Sequence, residues 1–360
     1  MGGLQHCGMN RSLGFLVLLV FSTTLWAAER LPRLDLLKFR DTDGNVQPVK
    51  TPADWAQRRA EIVRGMETVM GSLPGKERRV DLAVKVEEEV DAGKYIRRLI
   101  TYQSEPDSRT PAYLCIPKAV LKKGKAPAVL CLMPTDNRVG HKVVVGLGGR
   151  EGRAYAAELA ERGYVTIAPA YTHLANYWPN LGKLEYLSGT MKAIYDNTRA
   201  LDLLETLPYV DSKPGFGAIG HSLGGHNSIY TAVFDTRIEV VVSCCGFDSY
   251  QDYKDGDISG WASKRYMPRL LDYPLAGIPF DFHDMVAALA PRPFLAVAPL
   301  RDANFKWQSV DEVVAAAARV YALYGAEDTL AAEHPDCEHD FPDAMRERAY
   351  RLFEHHLGPV

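Results

Sequence analysis

The run Gly220-His221-Ser222-Leu223-Gly224 matches Gly-x-Ser-x-Gly, with Gly225 directly after it. A serine hydroxyl is a weak nucleophile at neutral pH, so chemistry at Ser222 needs a base to take its proton and an acidic group to orient that base. The motif has mechanical meaning only where a strand runs into it and a helix runs out. Residues 216–219 are apolar and strand-like, and residues 226–234 suit a helix. That context predicts a strained turn at Ser222, with glycine at 220 and 224 because Cβ atoms there would meet neighbouring chain.

The partners must come later, in the order Ser, then Asp or Glu, then His. Asp302 follows the apolar stretch 294–298 and lies just past a strand's C-terminal end; Asp248, past the preceding strand, is its rival. Asp302 is preferred because a further strand and His339 follow it in the expected order. His339 lies in the loop Glu333-His334-Pro335-Asp336-Cys337-Glu338-His339-Asp340-Phe341, between the last strand and the last helix. His334 is the competing base and is less well placed ahead of that helix. His221, His226 and His283 read as packing or hydrogen-bonding residues. An oxyanion would need backbone N–H donors. Leu223 offers one at a helix N-terminus, and Thr135 another, since Pro134 before it has none. His334, Asp336, His339 and Asp340 fit no zinc-binding spacing, so neither metal nor cofactor is expected.

The elements that position these residues follow from hydrophobic period. Residues 34–50 show no period and hold the turn Asp43-Gly44, which reads as an exposed arm. Thr51-Pro52 starts a helix carrying Trp55, Ile62, Met66 and Val69 on one face, stopped by Gly71 and Pro74. Alternation over residues 80–90 predicts a half-buried strand, continued at 94–103 and 112–116 as antiparallel neighbours. From residue 126 apolar strands alternate with helices, the pattern of a parallel sheet covered on both faces. The strands are 128–133, 165–168, 216–219, 238–244, 294–298 and 329–333. The helices are 153–162, 191–207, 223–234, 281–289, 310–324 and 344–356. Residues 171–189 and 246–279 break the alternation after strand ends, where open α/β sheets bind ligands.

The 360 residues are 47% hydrophobic and 24% charged, enough for a large core. Lys plus Arg is 42 and Asp plus Glu 45, leaving no basic surplus for a nucleic-acid partner. Arg11, an uncharged stretch at 12–26 and Ala27-Ala28 read as a signal peptide over residues 1–28, too short in its apolar part to span a membrane. Secretion or a periplasmic location is therefore expected, without a stable membrane anchor. Cys115, Cys131, Cys244, Cys245 and Cys337 show no regular spacing, so a disulfide framework is not expected, although one bridge stays open.

At GHSLGGHNS, at Arg301-Asp302-Ala303-Asn304-Phe305 and at residues 337–342 the chain resembles the α/β-hydrolase superfamily, in particular secreted bacterial esterases similar to acetyl xylan esterases and dienelactone-hydrolase-like proteins. The resemblance spans roughly residues 74–357. It implies an α/β-hydrolase fold over 79–360, preceded by an arm and helix at 29–78, and a Ser222–His339–Asp302 triad cleaving short acyl esters on carbohydrate. Two departures stand out. Dienelactone hydrolases use a cysteine nucleophile where Ser222 stands, and Met133-Pro134 replaces the His-Gly often found at the oxyanion strand end. Tyr171, Trp178, Trp261 and Tyr266 of the two insertions offer faces for sugar rings, or alternatively form the insertions' own core. A serine peptidase of the prolyl-oligopeptidase type and a non-catalytic binding protein on the same scaffold are the competing functions; the first usually carries a propeller domain, and the second usually lacks a triad residue.

Overall fold

The computed structural model describes residues 1–3, 30–122 and 124–358. All but the first three residues of the expected signal peptide lie outside them.

The stretch read as an exposed arm is docked. Strands β1 (Lys38–Arg40) and β2 (Val46–Pro48) form an antiparallel hairpin. The Asp41 carboxylate closes its turn by accepting from the N–H groups of Asp43 and Asn45. Leu31, Leu36, Phe39 and Val49 are buried. Arg30 pairs with the buried Asp284 at 2.6 Å, and Arg58 pairs with the same carboxylate at 2.8 Å. Hydrophobic period missed this segment because single apolar anchors, not a repeating face, hold it down. Helix α1 (Pro52–Met70) starts in a capping box between Thr51 and Asp54, with Pro52 at its first position.

Nine further strands form one sheet: β3 (Lys85–Asp91), β4 (Tyr95–Glu105), β5 (Ser108–Pro117), β6 (Ala128–Leu132), β7 (Val165–Pro169), β8 (Phe216–His221), β9 (Ile238–Cys244), β10 (Phe294–Val297) and β11 (Leu330–Glu333). Their order is β11-β10-β9-β8-β6-β7-β5-β4-β3. Strands β6 to β11 run parallel, and β3 to β5 join as antiparallel neighbours against β7. The intervening helices are α2 (Lys118–Lys122), α3 (Tyr155–Glu161), α4 (Gly189–Thr206), α5 (Leu223–Phe234), α6 (Phe282–Ala287), α7 (Trp307–Tyr321) and α8 (Asp343–Leu357). Helices α3 and α8 are bridged by Arg346 and Glu158 at 2.9 Å, while α4 to α7 pack in sequence on one another.

One expectation needs correction. The half-buried strand over 80–90 is an edge strand that begins only at Lys85, and Val84 and Val86 are 45% and 52% exposed. Among the described residues no strand pairs with its outer edge, and a bulge between Val86 and Glu88 breaks the alternation. Helix α4 is buried on its polar side as well as along its apolar stripe, because Lys192 pairs with Glu105 at 2.8 Å and with Asp196 at 2.6 Å. A buried charge is tolerable when paired in this way. Residues 171–189 and 246–279 contain no α-helix or strand apart from the start of α4, only turns and short 3₁₀ segments.

Candidate active site

Strand β8 ends at His221 and α5 begins at Leu223, so Ser222 alone makes the reversal, at φ 55° and ψ −120°. For a residue with a side chain such backbone costs about 1–3 kcal/mol and persists only where the surroundings impose it. Here they do. The Ser222 N–H donates to the Cys244 carbonyl of β9 at 2.8 Å. A Cβ on Gly220 would lie 2.1 Å from the Gly224 carbonyl carbon, and one on Gly224 would lie 2.0 Å from the Leu132 carbonyl oxygen at the end of β6. The two glycines let strand, turn and helix approach closely enough to present the serine at the sheet's C-terminal edge.

The loops after β10 and β11 meet at that edge. His339 Nδ1 donates to Asp302 Oδ2 at 2.8 Å. The Asp302 side chain is 1% exposed and also accepts from the Asn304 N–H at 2.7 Å. Burial alone would push its carboxyl up, but the hydrogen bond and charge of His339, with the N–H groups of Asn304 and Phe305, outweigh it and hold the pKa below the usual value. Asp302 is therefore an anion that can fix the imidazole tautomer. Ser222 and His339 line one cleft of about 170 Å³, shared with Thr135, Arg150 and Arg153. Arg153 pairs with Asp340 at 2.5 Å and donates to the His339 carbonyl, tying the histidine loop to the segment before α3.

The rival groups are engaged elsewhere. Asp248 accepts from the Lys306 N–H at 3.0 Å, and burial pushes its carboxyl up to about 7. His334 has both ring nitrogens occupied, by the Ala298 carbonyl and by Asp311, each at 2.8 Å. Among the described residues no backbone acceptor takes the N–H of Leu223 or Thr135. Of the insertion aromatics, Tyr171 and Trp261 are buried at 2% and 6% exposure, and Trp261 stacks on His226 at 4.4 Å. The face of Trp261 is taken by His226 of α5, and Tyr171 packs against Tyr266. Tyr266 is also buried, with its hydroxyl 3.4 Å from Thr135 Oγ1. Trp178 is exposed and stacks on His173. Arg150, Arg153 and Cys245 reach the site without any motif to announce them. Cys245 follows β9 at φ 49°, and the only signal of it was the doublet Cys244-Cys245.

The chain is similar in structure to a glucuronoyl esterase from Solibacter usitatus, at 20% identity and TM-score 0.70, over 92% of this chain and 100% of that one. A promiscuous CE15 esterase from the marine bacterial metagenome matches at 20% identity and TM-score 0.68, over 89% and 96% of the two chains. A Bacteroides fragilis protein described provisionally as an acetyl xylan esterase matches at 18% identity and TM-score 0.58, over 89% and 92%. No protein-family model matches the sequence, and no curated protein does. These likenesses establish the architecture: the chain has the α/β-hydrolase fold.

Proposed function

We propose that this protein is a carboxylic ester hydrolase acting on carbohydrate esters, with Ser222 as nucleophile, His339 as general base and Asp302 as the orienting acid. One observation carries the reading: His339, bonded through Nδ1 to Asp302, and the strained Ser222 turn line a single cleft. In the first half-reaction His339 Nε2 takes the Ser222 hydroxyl proton as Oγ attacks the ester carbonyl. The oxyanion is held by the N–H groups of Leu223 and Thr135, and His339 then protonates the departing alcohol. Water repeats the sequence and releases the acid. Asp302 holds the Nδ1–H tautomer and stabilises the imidazolium formed in each half.

The substrate follows from the shape of the cleft and from the neighbours. Pro134 and Val143 are its apolar walls, while Asp136, Arg150 and Arg153 make the remainder polar. Such a site accepts a short acyl group such as acetyl and offers no slot for a fatty chain. A second reading, an ester whose acid part is a uronic acid, is favoured by similarity to proteins named as glucuronoyl esterases. We further propose that the chain is exported on its N-terminal signal. Among the described residues no helix is long and apolar enough to cross a membrane.

The test sets acetylated xylan and aryl acetate, butyrate and octanoate against benzyl glucuronate, with wild type and Ser222→Ala. The acetyl reading expects acetate release and a rate that falls with acyl length. Faster cleavage of the glucuronate selects the second reading. Ser222→Ala should lose about a thousandfold or more in kcat; full activity in that variant, or no activity on any ester in wild type, overturns the proposal.

A further inference from the structure

Behind the His339–Asp302 pair lie two thiols that the ester chemistry does not use. In a regular strand adjacent side chains point to opposite faces. At Cys245 the backbone leaves the strand at φ 49°, and the Cys244 and Cys245 sulfurs converge to 3.6 Å, both directed at the Asp340 carbonyl. The ligand atoms of Cys245, Asp302 and His339 all lie within 4.8 Å of one another, and so do those of His221, Cys244 and Cys245. His221 is 3% exposed, and neither of its ring nitrogens has a hydrogen-bond partner. Its ring centroid is 4.8 Å from that of His339. A buried imidazole without a partner, facing two thiols and a carboxylate–imidazole pair, is a set of donors suited to a soft cation.

We propose that Cys245, Asp302 and His339 bind a soft divalent cation, zinc or cadmium, and that its binding switches off Ser222. Cys244 and His221 flank the ion and supply alternative donors. Ligands around a tetrahedral zinc stand roughly 3.4–3.8 Å apart, from bond lengths of about 2.0–2.3 Å, so the group needs to move by about 1 Å. The His339 loop, at the surface of the cleft, can supply that movement. Coordination shifts the single proton of the neutral His339 ring from Nδ1 to Nε2 and takes the thiol proton of Cys245, which passes to solvent. With metal on Nδ1 the neutral imidazole carries its one proton on Nε2 and cannot accept the one on Ser222. The inhibition, though not the binding, rests on the proposed role of His339.

The experiment titrates cadmium chloride into the full chain, kept reduced, and reads the ultraviolet thiolate-to-cadmium charge-transfer band alongside hydrolysis of an aryl acetate. One equivalent should saturate the band, and hydrolysis should fall with the same midpoint and return on adding a chelator. Cys245→Ala and His339→Ala should each weaken binding at least about tenfold, while Cys337→Ser should leave it intact. If Cys245→Ala does not fold, His339→Ala decides, because its side chain lies at the cleft surface. An absent band in wild type, a band unchanged in His339→Ala, or one lost in Cys337→Ser overturns the site. Undiminished hydrolysis at cadmium saturation overturns the inhibition. A normal band in a chain that hydrolyses no ester sustains the site and removes only the esterase reading.

Discussion

At the scale of single residues, the division of labour between two buried aspartates is the sharpest feature of the site. Asp302 faces an imidazole N–H, whereas Asp248 faces the backbone N–H of Lys306. An amide at 302 holds His339 in the wrong tautomer and cannot stabilise the imidazolium. Asp302→Asn should therefore lose on the order of 10³–10⁴ in kcat, against about tenfold or less for Asp248→Asn. Steady-state kinetics on both variants, with circular dichroism to confirm folding, checks this; the reverse ranking would move the acid to the end of β9.

At the scale of elements, the elbow depends on how closely β6, β8 and α5 pack. The clash at position 224 is with a strand carbonyl, which cannot swing aside as a flexible side chain would. Gly224→Ala should therefore lower the melting temperature, by the equivalent of about 1–3 kcal/mol or more. It should also reduce kcat, because the shift needed to relieve the clash carries Ser222 and the Leu223 N–H with it. A thermal melt and a kcat indistinguishable from wild type would show that α5 is free to slide. The histidine loop is held by the segment before α3, through the bond from Arg153 to the His339 carbonyl.

At the scale of the whole molecule, buried ionisable groups set the pH range of stability, and they pull in opposite directions. Burial pushes His141 down to about 4, His226 to about 3 and His283 to about 4. Each is neutral when folded and takes a proton when unfolded below about 6.5, so stability present above that pH is lost as it falls toward 4. Burial instead raises Asp248 to about 7 and Asp281 to about 6. These stay protonated in the folded chain after the unfolded chain has lost the proton, so their contribution declines as pH rises from about 4 to about 7. His226→Phe keeps the stacking on Trp261 and Tyr230 and should shrink the drop in melting temperature between pH 7 and pH 5. Asp248→Asn should raise the melting temperature at pH 8 relative to wild type. Melting curves across pH 4–9 test both signs.

Much of this architecture is legible in the chain because it is local. The strand-to-helix run around Ser222 obeys a short-range steric rule, and glycines at 220 and 224 are its direct trace. The alternation of apolar strands and amphipathic helices from residue 126 onward follows from burial on a periodic backbone, whereas the order Ser222, Asp302, His339 is read from the resemblance. Contacts between distant segments leave no such trace. Residues 30–50 dock through isolated side chains, among them Arg30 on Asp284, 254 positions away. The strand at 85–91 lies at an open edge, which its own alternation cannot report. Whether Tyr171 and Trp261 face a sugar or a core depends on what the fold lays against them, and His226 takes the face of Trp261. The convergence of Cys245 on Asp302 and His339 joins three loops that are far apart in sequence. Periodicity and motif spacing record what a segment does alone, and only the packed sheet decides which side chains meet across it.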